Sequence, residues 1–136
     1  MLVVDSSVWI DFFNARETAA RIELRHLLDD GHTRLVVPDL VLYEVLRGFR
    51  SERAMRQARL LLQTLSVEPC GGEDIALAAV EHYRHLRARG ITIRSAIDVL
   101  IAAFCIERDY LLLHSDRDYD AIAAHRGLRV WGHRPI

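Results

Sequence analysis

Short apolar runs alternate along the chain with longer stretches in which apolar residues recur at helical spacing. The runs hold mostly three or four apolar residues and stop at capping or turn residues, which is typical of strands buried on both faces. They predict five short strands, at residues 2–4, 35–38, 66–68, 111–113 and 128–130. The stretches between them predict helices at residues 8–13, 17–28, 39–49, 52–65, 73–88, 95–107 and 117–124.

This order of elements predicts the fold class. Strands separated by helices are typical of a parallel sheet covered by helices on both faces. The chain of 136 residues is long enough for one domain and too short for two. We therefore expect a single α/β domain over residues 1–136, with about five short parallel strands.

Composition excludes several classes of protein. No apolar run approaches the roughly 20 residues of a membrane span, and the first residues lack the basic segment of a secretory signal. Cys70 and Cys105 are far apart in sequence, which argues against structural zinc and favours the reducing cytoplasm. All 18 basic residues are arginine, so a P-loop lysine and a lysine Schiff base are both excluded, although the net charge is only −1.

The carboxylates indicate the chemistry. Asp5 directly follows the first predicted strand, and Asp116 and Asp118 follow the fourth. Ligands of open parallel sheets bind beyond the carboxyl ends of the strands, so these acids converge if the two strands are neighbours. Asp98 lies in the first turn of a predicted helix, and Glu44 lies in the apolar helix after the second strand. Such a set of oxygen donors fits Mg²⁺ or Mn²⁺ better than zinc.

Each acid also has a purely structural interpretation. Asp5 and Asp116 are well placed to be helix N-caps, and Asp98 fits the third position of a Ser-x-x-Asp helix start. Glu44 could pair with Arg47, but an unpaired carboxylate is costly in so apolar a helix. The coincidence of all four acids favours a shared site over four separate structural roles.

Four segments occur in an order that is specific at this chain length. They are VVDSS at 3–7, Glu44 six residues after Pro38, AIDVLIAA at 96–103 and LHSDRDY at 113–119. This pattern resembles the PIN domain and, more narrowly, the VapC toxins of bacterial toxin–antitoxin pairs, from Leu2 to about Val130. One departure is His114, where a threonine is common in the family.

The resemblance implies a function. Asp5, Glu44, Asp98 and Asp116 match the acidic quartet of the family, which binds one or two Mg²⁺ or Mn²⁺ ions, and Asp118 matches a further ligand of some members. The implied activity is endoribonuclease cleavage, in which a metal-activated water hydrolyses the phosphodiester. The implied partners are an RNA substrate, a VapB-like antitoxin whose C-terminal segment wraps the toxin, and a second copy of the chain in a homodimer.

Polar residues beside the acids have open roles. Ser6 and Ser115 could hydrogen-bond a phosphate oxygen, orient a carboxylate or cap a helix. His114 ends a predicted core strand, which favours a structural histidine over a phosphate contact.

Two further clusters have a functional and a structural interpretation. Arg53, Arg56 and Arg59 follow a predicted helix break near residues 48–51 and form a candidate RNA-binding stripe beside the site, or a solvated helix face. The aromatic cluster of Trp9, Phe12 and Phe13 favours core packing over an exposed groove for the antitoxin.

Other functions stay open to different degrees. A haloacid-dehalogenase-type phosphatase and a receiver domain share the outline but require a lysine that the chain lacks. A PIN-like module that binds RNA or protein without cleavage, and a nuclease that acts on DNA, remain as alternatives.

Overall fold

Four short strands and seven helices make up the part of the protein that the structure describes. The computed structural model describes residues 1–132, so the last four residues of the predicted domain, 133–136, lie outside the described residues. The strands are β1 (Leu2–Val4), β2 (Leu35–Pro38), β3 (Ser66–Glu68) and β4 (Leu111–Leu113). The helices are α1 (Ser6–Phe13), α2 (Ala19–Asp30), α3 (Asp39–Leu46), α4 (Glu52–Gln63), α5 (Glu73–Ala88), α6 (Ala96–Arg108) and α7 (Arg117–Arg126).

The strand order β3-β2-β1-β4 determines where a site can form. All pairings are parallel, and β1 pairs residue by residue with β4 from Leu2 opposite Leu111 to Val4 opposite Leu113. The chain first moves from β1 through β2 to β3 and then returns across the sheet to β4. Right-handed crossovers therefore place α1 to α4 on one face and α5 and α6 on the other. In open parallel sheets a ligand crevice forms where neighbouring connections leave in opposite directions, and here this point is at the carboxyl ends of β1 and β4.

The core lies between the sheet and these two helix layers. The side chains of β1 are completely buried, and the largest fully buried side chains include Trp9, Phe104 and Tyr119. Phe12 and Phe13 are half-buried and pack against the core beside Trp9, with which they form a cluster of contacting rings. The aromatic cluster of α1 thus contributes mainly to the core, as its composition favours.

Two predicted elements differ in extent. The run at residues 128–130 forms one parallel bridge, Leu112 to Val130, and no strand within the described residues, because only Leu128 of that run is buried. The helix predicted to reach residue 49 ends at Leu46, and Ser51 then caps α4 by accepting a hydrogen bond from the Ala54 amide. The predicted break between the two helices is therefore present.

The helices are short. The longest, α5, has 16 residues, and it begins with two acidic residues and ends with basic ones, as its macrodipole favours. Among the described residues, no helix combines the length and the apolar character needed to cross a membrane.

Candidate metal-binding and catalytic site

Asp5 lies at the centre of the crevice between β1 and β4. It is the N-cap of α1, where its Oδ2 accepts hydrogen bonds from the Ser7 amide at 3.3 Å and the Ser7 hydroxyl at 2.6 Å. Its Oδ1 accepts a 2.7 Å hydrogen bond from the hydroxyl of Tyr119 on α7. The residue is only 3% exposed. Asp5 is therefore a helix cap, but capping engages one oxygen and leaves the other directed across the crevice.

Glu44 is held on the same side by the first turn of α1. The Ser6 hydroxyl donates a 2.9 Å hydrogen bond to Oε1 of Glu44, which links α1 to α3. The guanidinium of Arg47, the alternative partner, instead lies 5.5 Å from the ring centroid of Tyr43. Ser6 thus orients a carboxylate, which is one of the roles that the sequence leaves open for it.

Asp116 and Asp118 come from the start of α7. Asp116 is the N-cap of that helix, and its Oδ1 accepts a 2.9 Å hydrogen bond from the Asp118 amide. Arg94, in the loop before α6, reaches both acids. Its Nη2 lies 3.6 Å from Oδ1 of Asp116, and its Nε lies 3.3 Å from Oδ2 of Asp118. The Arg94 amide donates to the same oxygen of Asp118 at 3.3 Å.

Asp98 reports on the electrostatics of the crevice. It is half-buried in the first turn of α6, and its pKa is raised to about 6. Burial is the largest cause, followed by the negative charge of Asp5, while Asp116 and Glu44 add smaller contributions. A hydrogen bond from Tyr119 acts in the opposite direction and lowers the pKa. The other three acids, from three further segments, therefore all lie within electrostatic reach of Asp98.

Tyr119 holds a proton at the centre of this cluster. Its side chain is fully buried, and its pKa is raised, first by burial and then by the charges of Asp5 and Asp98. A protonated phenol donates a hydrogen bond and carries no negative charge that would repel a carboxylate. The Tyr119 hydroxyl therefore stabilises the neighbouring carboxylates.

His114 and Ser115 form the loop between β4 and α7. His114 is 7% exposed, its Nδ1 accepts a 3.2 Å hydrogen bond from the Asp116 amide, and burial lowers its pKa. Its Nε2 lies 3.6 Å from Oδ1 of Asp120 and has no hydrogen-bond partner among residues 1–132. These contacts fit a structural histidine that fixes the main chain of Asp116. Ser115 is exposed and lines, together with Asp116, a cavity of about 570 Å³.

The donor set fits a hard divalent cation in its chemistry, because it supplies carboxylate oxygens without thiolate or imidazole. In the described part of the chain, however, no three Asp, Glu, His or Cys residues lie close enough together to form a ready-made metal site. The carboxylate oxygens take protein donors instead, namely Ser6, Ser7, Tyr119 and Arg94. Binding of a cation would have to exchange part of these contacts.

The arginine stripe lies on α4, the helix that follows α3 and its Glu44. Arg53, Arg56 and Arg59 are exposed on α4, and Arg59 bonds to Gln63 one turn later. Helix α4 packs against α3 and β3, and β3 is two strands away from β1. The position of the stripe beside the acids and its role in RNA binding both stay predictions.

Three residues of the crevice escape the sequence analysis. Ser7 and Tyr119 bond to Asp5, and Arg94 pairs with the acids of α7. Ser7 and Tyr119 lie within the motifs at 3–7 and 113–119, so their neighbourhood could have indicated them. Arg94 lies four residues before Asp98, and no spacing rule connects it with residues 116 and 118.

Comparison with known proteins identifies the family. Residues 2–125 match the PIN domain family. Ribonuclease VapC11 of Mycobacterium tuberculosis is 32% identical over 133 residues, which cover 96% of this chain and 97% of that protein. The chain belongs to the VapC family of PIN domains. VapC ribonuclease Mb1587 of Mycobacterium bovis shows the same identity and coverage.

Solved structures show the same fold. VapBC2 of Rickettsia felis, bound to a promoter DNA fragment, matches with a TM-score of 0.76 at 14% identity over 98% of both chains. A toxin–antitoxin complex of Klebsiella pneumoniae matches with 0.73 at 18% identity over both whole chains. VapC20 of Mycobacterium tuberculosis, a toxin that cleaves the sarcin-ricin loop, matches with 0.66 at 20% identity over 89% of this chain and 94% of that one. The predicted PIN-type α/β fold is confirmed.

Proposed function

We propose that this VapC-family ribonuclease toxin cleaves RNA as a Mg²⁺- or Mn²⁺-dependent endonuclease through the acids of the β1–β4 crevice. The observation that carries the proposal is that four segments bring Asp5, Glu44, Asp98 and Asp116 to one crevice, where burial and the other carboxylates raise the pKa of Asp98. So much negative charge in a half-buried place is costly unless a cation neutralises it. The relatives named above as ribonucleases support RNA as the substrate.

The proposed ligands are Asp5, Glu44, Asp98 and Asp116, with Asp118 as a further candidate. A bound divalent ion would activate a water for attack on the phosphodiester and neutralise the charge that develops on the phosphate oxygens. The protein supplies the positions of the carboxylates.

Neighbouring side chains perform that positioning. The Tyr119 hydroxyl fixes Oδ1 of Asp5, and the Ser6 hydroxyl fixes Glu44. The imidazole of His114 fixes the main chain of Asp116 without entering the reaction. Ser115, on the wall of the cavity beside Asp116, is placed to hydrogen-bond a phosphate oxygen of the RNA.

We further propose a VapB-like antitoxin as the partner and a homodimer as the state of the toxin. The solved structures with the same fold include toxin–antitoxin complexes. Helix α1 offers a small groove of about 80 Å³ between Phe13 and Phe49, which is suited to one apolar side chain of a partner peptide. Both cysteines are free and buried, which agrees with the reducing cytoplasm as the place of action.

The test is cleavage of total RNA by the purified chain with Mg²⁺ or Mn²⁺, beside an EDTA control. Asp5→Asn should abolish cleavage, whereas Asp29→Asn, which alters an exposed acid on α2, should leave it unchanged. Calorimetric titration with Mn²⁺ on the same samples should show binding by the wild type and by Asp29→Asn alone. Cleavage that persists in EDTA or in Asp5→Asn would contradict the mechanism, and cleavage of DNA but not RNA would contradict the substrate.

A further inference from the structure

Arg94 is a charged residue at the crevice for which the proposed mechanism has no use. Its side chain is 68% exposed, and its guanidinium lies within ion-pair distance of both Asp116 and Asp118. Two contacts fix the main chain of the loop at this position. The neighbouring Ile93 is buried, and the Arg94 amide donates a hydrogen bond to Asp118.

The contacts of Arg94 conflict with the proposed role of its partners. Its Nη2 lies 3.6 Å from Oδ1 of Asp116, which is a proposed metal ligand, and its Nε pairs with Asp118, a further candidate. A divalent cation on these carboxylates would repel the guanidinium. The metal and the Arg94 side chain would therefore compete for the same two carboxylates.

The competition is weak enough to be reversible. An ion pair with so exposed an arginine contributes little to stability, because solvent screens it and the long side chain loses entropy. By contrast, the main-chain hydrogen bond to Asp118 does not depend on the guanidinium, so the loop can stay in place when the side chain turns away. The released guanidinium then remains at the edge of the crevice.

The anion that an RNA substrate would bring to the edge of the crevice is a phosphodiester. A guanidinium binds phosphate oxygens through two parallel N–H donors, which makes arginine well suited to this contact. We propose that Arg94 is a substrate-binding residue, which neutralises Asp116 and Asp118 in the metal-free site and binds an RNA phosphate once the metal displaces it. This inference rests on the proposed function, because it requires both a metal and an RNA at the crevice.

The test compares Arg94→Gln with Arg25→Gln, which removes a matched exposed arginine from an ion pair with Asp29 on α2. Without RNA, Arg94→Gln should bind Mn²⁺ about two- to fivefold more tightly, the range that the loss of an exposed competing ion pair provides. Affinity for a single-stranded RNA, measured by anisotropy in Ca²⁺ with intact RNA checked on a gel, should fall. The slope of log affinity against log salt should become shallower by about 0.7, the value of one phosphate contact on a single strand.

Each alternative gives a different result. An Arg94→Gln variant with wild-type Mn²⁺ affinity and salt slope would overturn the inference while leaving the proposed function intact. A lower melting temperature with an unchanged salt slope would show a merely structural arginine and overturn it as well. Arg94→Lys should restore most of the salt slope, because the charge remains. A wild type that neither binds Mn²⁺ nor cleaves RNA would overturn the proposed function together with the inference.

Discussion

Replacing Asp98 by Asn should make the metal-free protein more stable at neutral pH while it abolishes cleavage. Asparagine has nearly the same shape as aspartate. It removes the charge that burial and Asp5 make unfavourable. A gain in stability from the loss of a functional residue is expected where a site concentrates charge for a ligand.

The magnitude follows from the pKa. The pKa of Asp98 is about 6 in the folded protein, against about 3.9 for an unperturbed aspartate. The folded state therefore binds this proton more tightly than the unfolded state, so the contribution to stability is complete below about pH 3.9 and is lost as the pH rises through 6. Two pKa units correspond to at most about 3 kcal/mol at pH 7.5, and solvent at this half-buried position reduces the expected gain to about 1–2 kcal/mol.

The assay is urea unfolding in EDTA, followed by circular dichroism, at pH 7.5 and pH 4.5. The advantage of Asp98→Asn should shrink at pH 4.5 to about a third of its value at pH 7.5, because the wild type is then largely protonated at this position. Asp29→Asn, an exposed control, should change the free energy of unfolding by less than about 0.5 kcal/mol at either pH. Equal or lower stability of Asp98→Asn at pH 7.5 would refute the electrostatic interpretation of the crevice.

Three other changes test the structure. Tyr119→Phe removes the donor to the buried Asp5 and should lower the free energy of unfolding by about 1.5–3 kcal/mol, and a loss below 0.5 kcal/mol in urea unfolding would contradict this contact. Ser51→Ala removes the cap of α4 and should lower it by about 1 kcal/mol, while Gly at this position should cost only a few tenths. Replacing Arg53 and Arg56 by Gln should make the salt dependence of RNA affinity shallower by about 1.4, and an unchanged slope would exclude the stripe from the RNA path.

The fold was largely predictable because its strands are short apolar runs and its helices have clear start signals. The hydropathy pattern could not predict how extensively a strand at the edge of the sheet would pair with its neighbour. The run at 128–130 has the composition of a strand, but Val130 stays exposed and only one bridge forms. Hydropathy is a property of single residues, whereas a strand forms only where a neighbouring strand pairs with it along its length.

The positions of the acids were predictable from the elements they follow, but their partners were not. Asp5 and Asp116 are helix caps, as their local sequence indicates. The capping-box interpretation of Asp98 is not supported, because Ser95 forms no side-chain cap bond among the described residues. Contacts such as Tyr119 to Asp5 join residues that are distant in sequence, so no local rule contains them.

The hydrogen bond between Tyr119 and Asp5 determines how late the crevice can form while the chain is being synthesised. The two residues are 114 positions apart, and at a translation rate of roughly 5–20 residues per second about 6 to 23 s pass between their incorporation. For most of this interval β4 and the acids of α7 have not yet been synthesised, so β1 lacks both. A nascent chain, or a product terminated before α7, therefore contains most of the fold without a complete crevice. The proposed RNA cleavage therefore cannot begin before α7 has been synthesised and has folded against β1.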